Sequence, residues 1–155
     1  MDTTMWINHF ALLPHDESVQ TSVRDMSLVI TSSTTGGVGP TGNKCVYMGL
    51  QIPPGFLLSR VRVCYALSNS RSFIRQIRIA QVADPPVSAT VILDDPRQLT
   101  NPGPVCVNSK RTEIDPSLGS LLLNLYVYFG DNPDNLDELR DEIRINAVGL
   151  EVRPV

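Results

Sequence analysis

Apolar and polar residues alternate with a period of two along most of this chain, the pattern of β-strands with one face buried. Over 57–67, LLSRVRVCYAL, one face carries Val61, Val63, Tyr65 and Leu67, and the other carries Arg60, Arg62, Cys64 and Ala66. Residues 121–129, LLLNLYVYF, repeat the device: Leu121, Leu123, Leu125, Val127 and Phe129 turn inward, leaving Leu122, Asn124, Tyr126 and Tyr128 outside. In 44–52 the inward set is Val46, Met48, Leu50 and Ile52, and in 26–31 it is Met26, Leu28 and Ile30. Further strand candidates are 4–11, 72–82, 87–93, 104–108 and 142–153. The last changes parity midway, with Ile143, Ile145 and Ala147 on one face, then Val148, Leu150 and Val152 on the other. A bulge near Gly149, or a strand covered on both faces, accounts for the switch.

Turn signals separate these runs: Gly36-Gly37-Val38-Gly39-Pro40-Thr41-Gly42, Pro53-Pro54-Gly55, Asn69-Ser70, Asp94-Asp95-Pro96 and Asn101-Pro102-Gly103-Pro104. About eight or nine strands so punctuated predict an all-β, two-sheet antiparallel β-sandwich of jelly-roll-like kind rather than βαβ units. One short helix at most is expected, near 135–142, capped by Asp134 or Asn135. The 155 residues, with 42% hydrophobic and 19% charged positions, suit a single globular domain over 1–155. The N-terminal MDTTMWINHF lacks the basic and apolar regions of a secretion signal, and no apolar run approaches the ~18 residues of a membrane helix. A cytoplasmic location is therefore the default expectation, with a virion or surface assembly left open.

Charge changes the picture more than composition does. Residues 26–83 contain no Asp or Glu but carry Lys44, Arg60, Arg62, Arg71, Arg75 and Arg78, whereas 84–155 hold twelve acids against six bases. Basic strands paired with acidic ones inside one sandwich explain this asymmetry more simply than an anionic partner does. Three cysteines, Cys45, Cys64 and Cys106, without a CxxC spacing, predict free thiols and neither a disulfide framework nor a four-cysteine zinc site.

Candidate chemistry is sparse. Gly37, Gly42 and Lys44 resemble a phosphate-binding loop, but Asn43 interrupts the motif, Cys45 replaces the magnesium-binding hydroxyl, and a strand follows where a helix is needed. His9 and His15 are the only histidines, and no serine or cysteine sits in a nucleophile elbow. The acids of 131–142 lack calcium-loop spacing. No catalytic constellation, metal site or cofactor is expected, and neither nucleic acid nor membrane is an expected partner. A metal-dependent enzyme using the acidic loop is the last-ranked alternative.

Two exposed faces remain as candidate binding surfaces: Asn124, Tyr126 and Tyr128 with outward Tyr47, and the Arg60/Arg62 face. Aromatic faces beside an amide suit sugar stacking and equally suit a subunit interface. The stretches GLQIPPGFLLSRVRVCYALSNSRSFIRQIRIAQ at 49–81 and LLLNLYVYFGDNPDNLDELRDEIRINAVGLEV at 121–152 together resemble jelly-roll-like β-sandwich modules of uncharacterised bacterial proteins and phage tail-fibre tips. That resemblance implies adhesion, display or assembly more than catalysis. The sequence thus predicts a non-enzymatic structural or interaction module that self-associates as a homo-oligomer, with a carbohydrate- or anion-binding β-sandwich, taking a glycan or other anionic ligand, as the alternative.

Overall fold

The alternation in the sequence is realised as two antiparallel sheets packed face to face. The computed structural model describes residues 2–83, 88–131 and 140–155. Its strands are β1 (Thr3–Ile7), β2 (Leu13–Pro14), β3 (Val19–Arg24), β4 (Ser27–Ser32), β5 (Val38–Gly39), β6 (Gly42–Asn43), β7 (Cys45–Leu50), β8 (Phe56–Leu67), β9 (Phe73–Ala83), β10 (Thr90–Asp95), β11 (Val105–Asn108), β12 (Gly119–Tyr128) and β13 (Ile143–Pro154). One sheet runs β11-β8-β13-β4-β3, with β1 also paired to β13; the other runs β10-β9-β12-β7-β2. Among the described residues the only helical turns are two short 3-10 segments, His9–Ala11 and Pro116–Leu118. The helix expected near 135–142 falls largely on residues outside the described ones. No helix among the described residues is long and apolar enough to cross a membrane.

The inward sets read from the sequence form the core. Val61, Val63 and Tyr65 of β8 and Ile143, Ile145, Val148 and Leu150 of β13 pack against Leu121, Leu123, Leu125 and Val127 of β12 and Ile77 and Ile79 of β9. All are essentially excluded from solvent. Removing this apolar area from water, at about 25 cal/mol per Å², is what holds two such sheets together.

The structure corrects four expectations. Met26 is not an inward strand residue: it follows Asp25 in a turn where both have positive φ (67° and 51°), and its side chain is 74% exposed. Two successive residues of this kind make the tight turn that joins neighbouring antiparallel strands, here β3 to β4. Strand β3 itself was not anticipated, because VQTSVR carries little apolar alternation and stands at the sheet edge. The parity switch in β13 comes from a bulge between Ile145 and Ala147, not at Gly149. Gly149 instead lies beneath β1, where a Cβ would stand 2.7 Å from Thr4 Cγ2 and 3.1 Å from the Trp6 ring.

The fourth correction concerns the thiols. Cys64 and Cys106 form a disulfide across directly paired positions of β8 and β11, leaving Cys45 as the one free cysteine. A separation of 42 residues hides this pair in the sequence. It becomes visible only once the β8–β11 register is known.

Lys44 takes the place that the glycine-loop reading left unexplained. It sits at the inward parity of β7, fully buried, and its Nζ donates to Ser32 Oγ (2.8 Å), Thr34 Oγ1 (2.6 Å) and the carbonyls of Thr34 (2.5 Å) and Thr35 (3.2 Å). Burial pushes its ammonium pKa down, and the charge of Asp16 opposes that push. The residue fastens the end of β4 and the following loop to β7, and a strand follows it.

Candidate functional site

The outward face of the five-stranded sheet is built in cross-strand rows. Asn124 of β12 stands between Tyr47 of β7 and Arg78 of β9; in the next row Tyr126 stands between Cys45 and Gln76. Large rings and short side chains therefore alternate diagonally: Tyr47 and Tyr126 stand up, while Cys45 and Asn124 lie low between them. Diagonal neighbours of an antiparallel pair lie about 7–8 Å apart, so the two rings flank a depression. That depression is an open groove of about 440 Å³ lined by Tyr47, Tyr126, Asn124, Asn43, His15 and Leu122, with Cys45 beneath.

The polar groups of the groove divide into committed and free. The Tyr126 hydroxyl accepts from Arg78 Nη1 (3.3 Å), and both Arg75 and Arg78 hold their guanidinium carbons near its ring, 5.1 and 5.2 Å from the centre. Tyr126 is thus braced by cation–π contacts. Tyr47 meets only the edge of the His15 ring, 6.1 Å away. Neither the Tyr47 hydroxyl nor the Asn124 amide has a hydrogen-bond partner among the described residues, although the two residues are directly paired. Tyr128, also outward on β12, stands a row further on, stacked with Phe73 at 5.3 Å.

The arginines reach this face by a bulge. Between Tyr126 and Val127 the β9 register skips from Gln76 to Ile74, leaving Arg75 as the extra residue. Arg75, Gln76 and Arg78 then all stand off the core, while Ile74 and Ile77 fill it. Bulges re-aim side chains in this way, often beside binding sites. Arg78 pairs with Asp94 (3.6 Å), and Gln76 also donates to that carboxylate.

The groove's far end is held by Asp16. Its buried carboxylate accepts from the backbone N–H (2.7 Å) and hydroxyl (2.7 Å) of Thr41, and from the backbone N–H (2.9 Å) and hydroxyl of Ser18. Burial would raise the Asp16 pKa, but these hydrogen bonds outweigh it and hold the carboxyl well below the usual range. Gly39 fits only as glycine, since a Cβ there would lie 1.8 Å from an Asp16 oxygen. The β5–β6 turn so fixed presents Asn43 at the groove.

His15 and Cys45 line the groove together, the residue types of a base and a nucleophile. Burial pushes the Cys45 thiol up to about 11, against the opposing Arg75 charge, so it is protonated at neutral pH and a weak nucleophile.

Of the residues singled out in the sequence, Tyr47, Asn124 and Tyr126 meet at the groove and Tyr128 lies beside it. Arg60 and Arg62 stand on the other sheet. Arg60 Nε donates to Glu151 (2.5 Å), its cross-strand neighbour, and Arg62 Nη1 donates to Asn108 (3.2 Å). At the acidic loop, Asp141 holds Arg71 through two bonds of 2.8 Å and also binds Ser72, and Glu142 holds Arg24. Asp134, Asp137 and Glu138 lie outside the described residues. The sequence reading missed Arg75, Arg78, Asn43 and His15 as site residues.

No protein-family model matches the chain, and no curated protein sequence matches it. Among solved structures, the chain is similar to a mutant of a family 29 carbohydrate-binding module, with 11% identity, a TM-score of 0.46, and coverage of 97% of this chain and 92% of that one. A second family 29 mutant, studied for its mechanism of ligand recognition, gives 12% identity, a TM-score of 0.45, and coverage of 97% and 86%. A family two carbohydrate esterase from Cellvibrio japonicus gives 14% identity and a TM-score of 0.40 over 100% of this chain and 36% of that one. Two of these are carbohydrate-binding modules and one is a carbohydrate esterase; none is a tail-fibre tip. Identity this low maps none of their residues onto the groove.

Proposed function

We propose that this chain is a single, non-enzymatic carbohydrate-binding module, and that the groove between Tyr47 and Tyr126 is its glycan site. One observation carries the reading: a Tyr47 hydroxyl and an Asn124 amide, neither hydrogen-bonded among the described residues, stand side by side over an open groove flanked by aromatic rings. A sugar ring presents an apolar C–H face and a rim of hydroxyls. An aromatic face takes the first, and an amide, donor and acceptor at once, takes the second. Tyr126 is already braced by two arginines, so Tyr47 is the ring left to stack. The disulfide supports placing the protein in oxidising surroundings, where such bonds persist, instead of the cytoplasm expected by default.

The test is affinity electrophoresis and calorimetry against soluble neutral and acidic polysaccharides, with wild type, Tyr47→Ala and Asn124→Ala. Wild type should bind at least one polysaccharide, and Tyr47→Ala should weaken that binding about tenfold without altering the melting temperature. Absence of binding across the set, or binding indifferent to both substitutions, overturns the reading.

Self-assembly is the second reading, favoured by Leu122 and Tyr128, which leave apolar surface exposed on the same face. It predicts a concentration-dependent mass that Tyr128→Ser reduces.

A further inference from the structure

The charge that the groove's edge leaves unmet points to a particular kind of glycan. Among the described residues eight arginines form ion pairs with Asp or Glu: Arg24, Arg60, Arg71, Arg78, Arg97, Arg111, Arg144 and Arg153, while Arg62, on the other sheet, donates to the Asn108 amide. Arg75 forms none among the described residues. Its terminal nitrogens reach only amide oxygens, Asn43 Oδ1 and Gln76 Oε1, each at 3.4 Å, too long for strong hydrogen bonds. Its Nε is buried without a partner, and a Cβ on Gly37 would lie 3.0 Å from that atom.

A half-buried guanidinium with no counter-ion is costly, because its lost hydration is not replaced. The chain adopts a bulge that brings it to this face nonetheless. Asp94, the carboxylate that Arg78 pairs with, is also taken up by Gln76. Among the described residues, of the two guanidinium groups beside Tyr126 only that of Arg78 pairs with a carboxylate, leaving the positive charge of Arg75 over. Arg75 also contacts Asn43, which lines the groove, and Tyr126, which walls it. The unmet charge therefore adjoins the proposed sugar site.

We propose that the groove selects glycans bearing carboxylates, that is, uronic-acid sugars, and that Arg75 is the residue that recognises the carboxylate. This rests on the glycan-binding reading above. A planar guanidinium offers parallel N–H groups that match the two oxygens of a carboxylate, and a ligand carboxylate would replace two long contacts to neutral amides with charge-assisted bonds. Tyr47 and Asn124 would hold the sugar ring while Arg75 reads its charge.

The experiment compares the same sugar with and without its charge. Polygalacturonate and its methyl ester, and glucuronic-acid-substituted xylan and unsubstituted xylan, are titrated calorimetrically into wild type, Arg75→Gln and Arg60→Gln, with cellulose and mannan oligosaccharides as neutral probes. Wild type should bind an acidic member at least about tenfold more tightly than its neutral counterpart. The preference should shrink between low and high salt, since exposed charges are screened. Arg75→Gln should remove it and Arg60→Gln should preserve it. Equal affinity for charged and neutral forms, or preference for neutral oligosaccharides, overturns the inference and leaves the glycan reading standing. No binding to any of the probes removes both. If Arg75→Gln melts below the wild type, Arg75→Lys serves instead: it keeps the charge but loses the fork, and an undiminished preference in that variant overturns the bidentate assignment.

Discussion

The two sheets of this sandwich use the same strand grammar, yet their outer faces have opposite characters. On the six-stranded sheet three outward residues of β8 are answered by their cross-strand neighbours: Arg60 by Glu151, Arg62 by Asn108, and Cys64 by a covalent bond to Cys106. On the five-stranded sheet the equivalent rows leave the Tyr47 hydroxyl and the Asn124 amide without hydrogen-bond partners, and Arg75 without a counter-ion, among the described residues. A face that satisfies itself contributes to stability and has little left for a ligand. A face whose groups are left over has them available, which is what the proposed glycan site requires. Charge asymmetry along a sequence therefore says little until pairing is known: among the described residues Arg60 is paired with Glu151, whereas Arg75, near one end of β9, has no acidic partner.

The largest expected effect separates the two faces of a single strand. Leu123 and Asn124 are adjacent on β12, one with no exposed surface and the other at the groove. Leu123→Ala should lower unfolding free energy by about 2–5 kcal/mol in urea titration, through lost burial and the cavity left behind. Asn124→Ala should stay within about 0.5 kcal/mol of wild type, as substitutions outside the core usually do. An Asn124→Ala variant as unstable as Leu123→Ala would show that the outward face is structural, and the contrast between the sheets would break.

The next largest effect tests the covalent link on the six-stranded sheet. Titration of the denatured protein should find one reactive thiol, Cys45, and two more only after reduction. Cys106→Ser should cost about 2–4 kcal/mol, because a bridge spanning 42 residues restricts the unfolded chain. Polysaccharide binding measured at a temperature where that variant remains folded should be unchanged, since the groove lies on the other sheet. Three reactive thiols without reductant, or loss of binding in the folded variant, would contradict the division of roles.

How much of this was legible beforehand follows from what period-two alternation encodes. It reports which side of a strand is buried, so the inward sets of β7, β8 and β12 and the outward Tyr47, Asn124, Tyr126 and Tyr128 could be read directly. It says nothing about which strands are neighbours. Whether Tyr47 lies beside Asn124 and whether Cys64 faces Cys106 depend on registers set by contacts far apart in sequence. Arg75 and Arg78 were hidden for a sharper reason. Residues three apart on a regular strand point to opposite faces, and only the bulge at Arg75 brings both to the same ring. Asn43 ends the two-residue strand β6 and His15 follows the two-residue strand β2, segments too short for a period of two to register. The alternation of Arg60 and Arg62 was plain, but alternation alone cannot tell a paired arginine from a free one.

The smallest expected effect bears on those two residues and on self-association. If the basic 57–82 hairpin of one copy met acids of another, Arg60→Glu with Arg62→Glu would convert an oligomer to a monomer. The structure instead meets Arg60 with Glu151 inside the same chain, and the hydrogen bond that Arg60 donates to Glu151 raises the Arg60 pKa. The pair is partly exposed, so screening by water limits its worth, and Arg60→Gln should cost about 1 kcal/mol or less. Sedimentation velocity of the double glutamate variant should return the same mass as wild type at low and high salt, because Arg60 is already paired with Glu151 and Arg62 already donates to Asn108 within the chain. Its polysaccharide affinity should also match wild type, since neither arginine touches the groove. A fall in mass on making the double substitution, or a wild-type mass that decreases with salt, would place an interface on the six-stranded sheet and show that satisfaction within the chain does not exclude a partner.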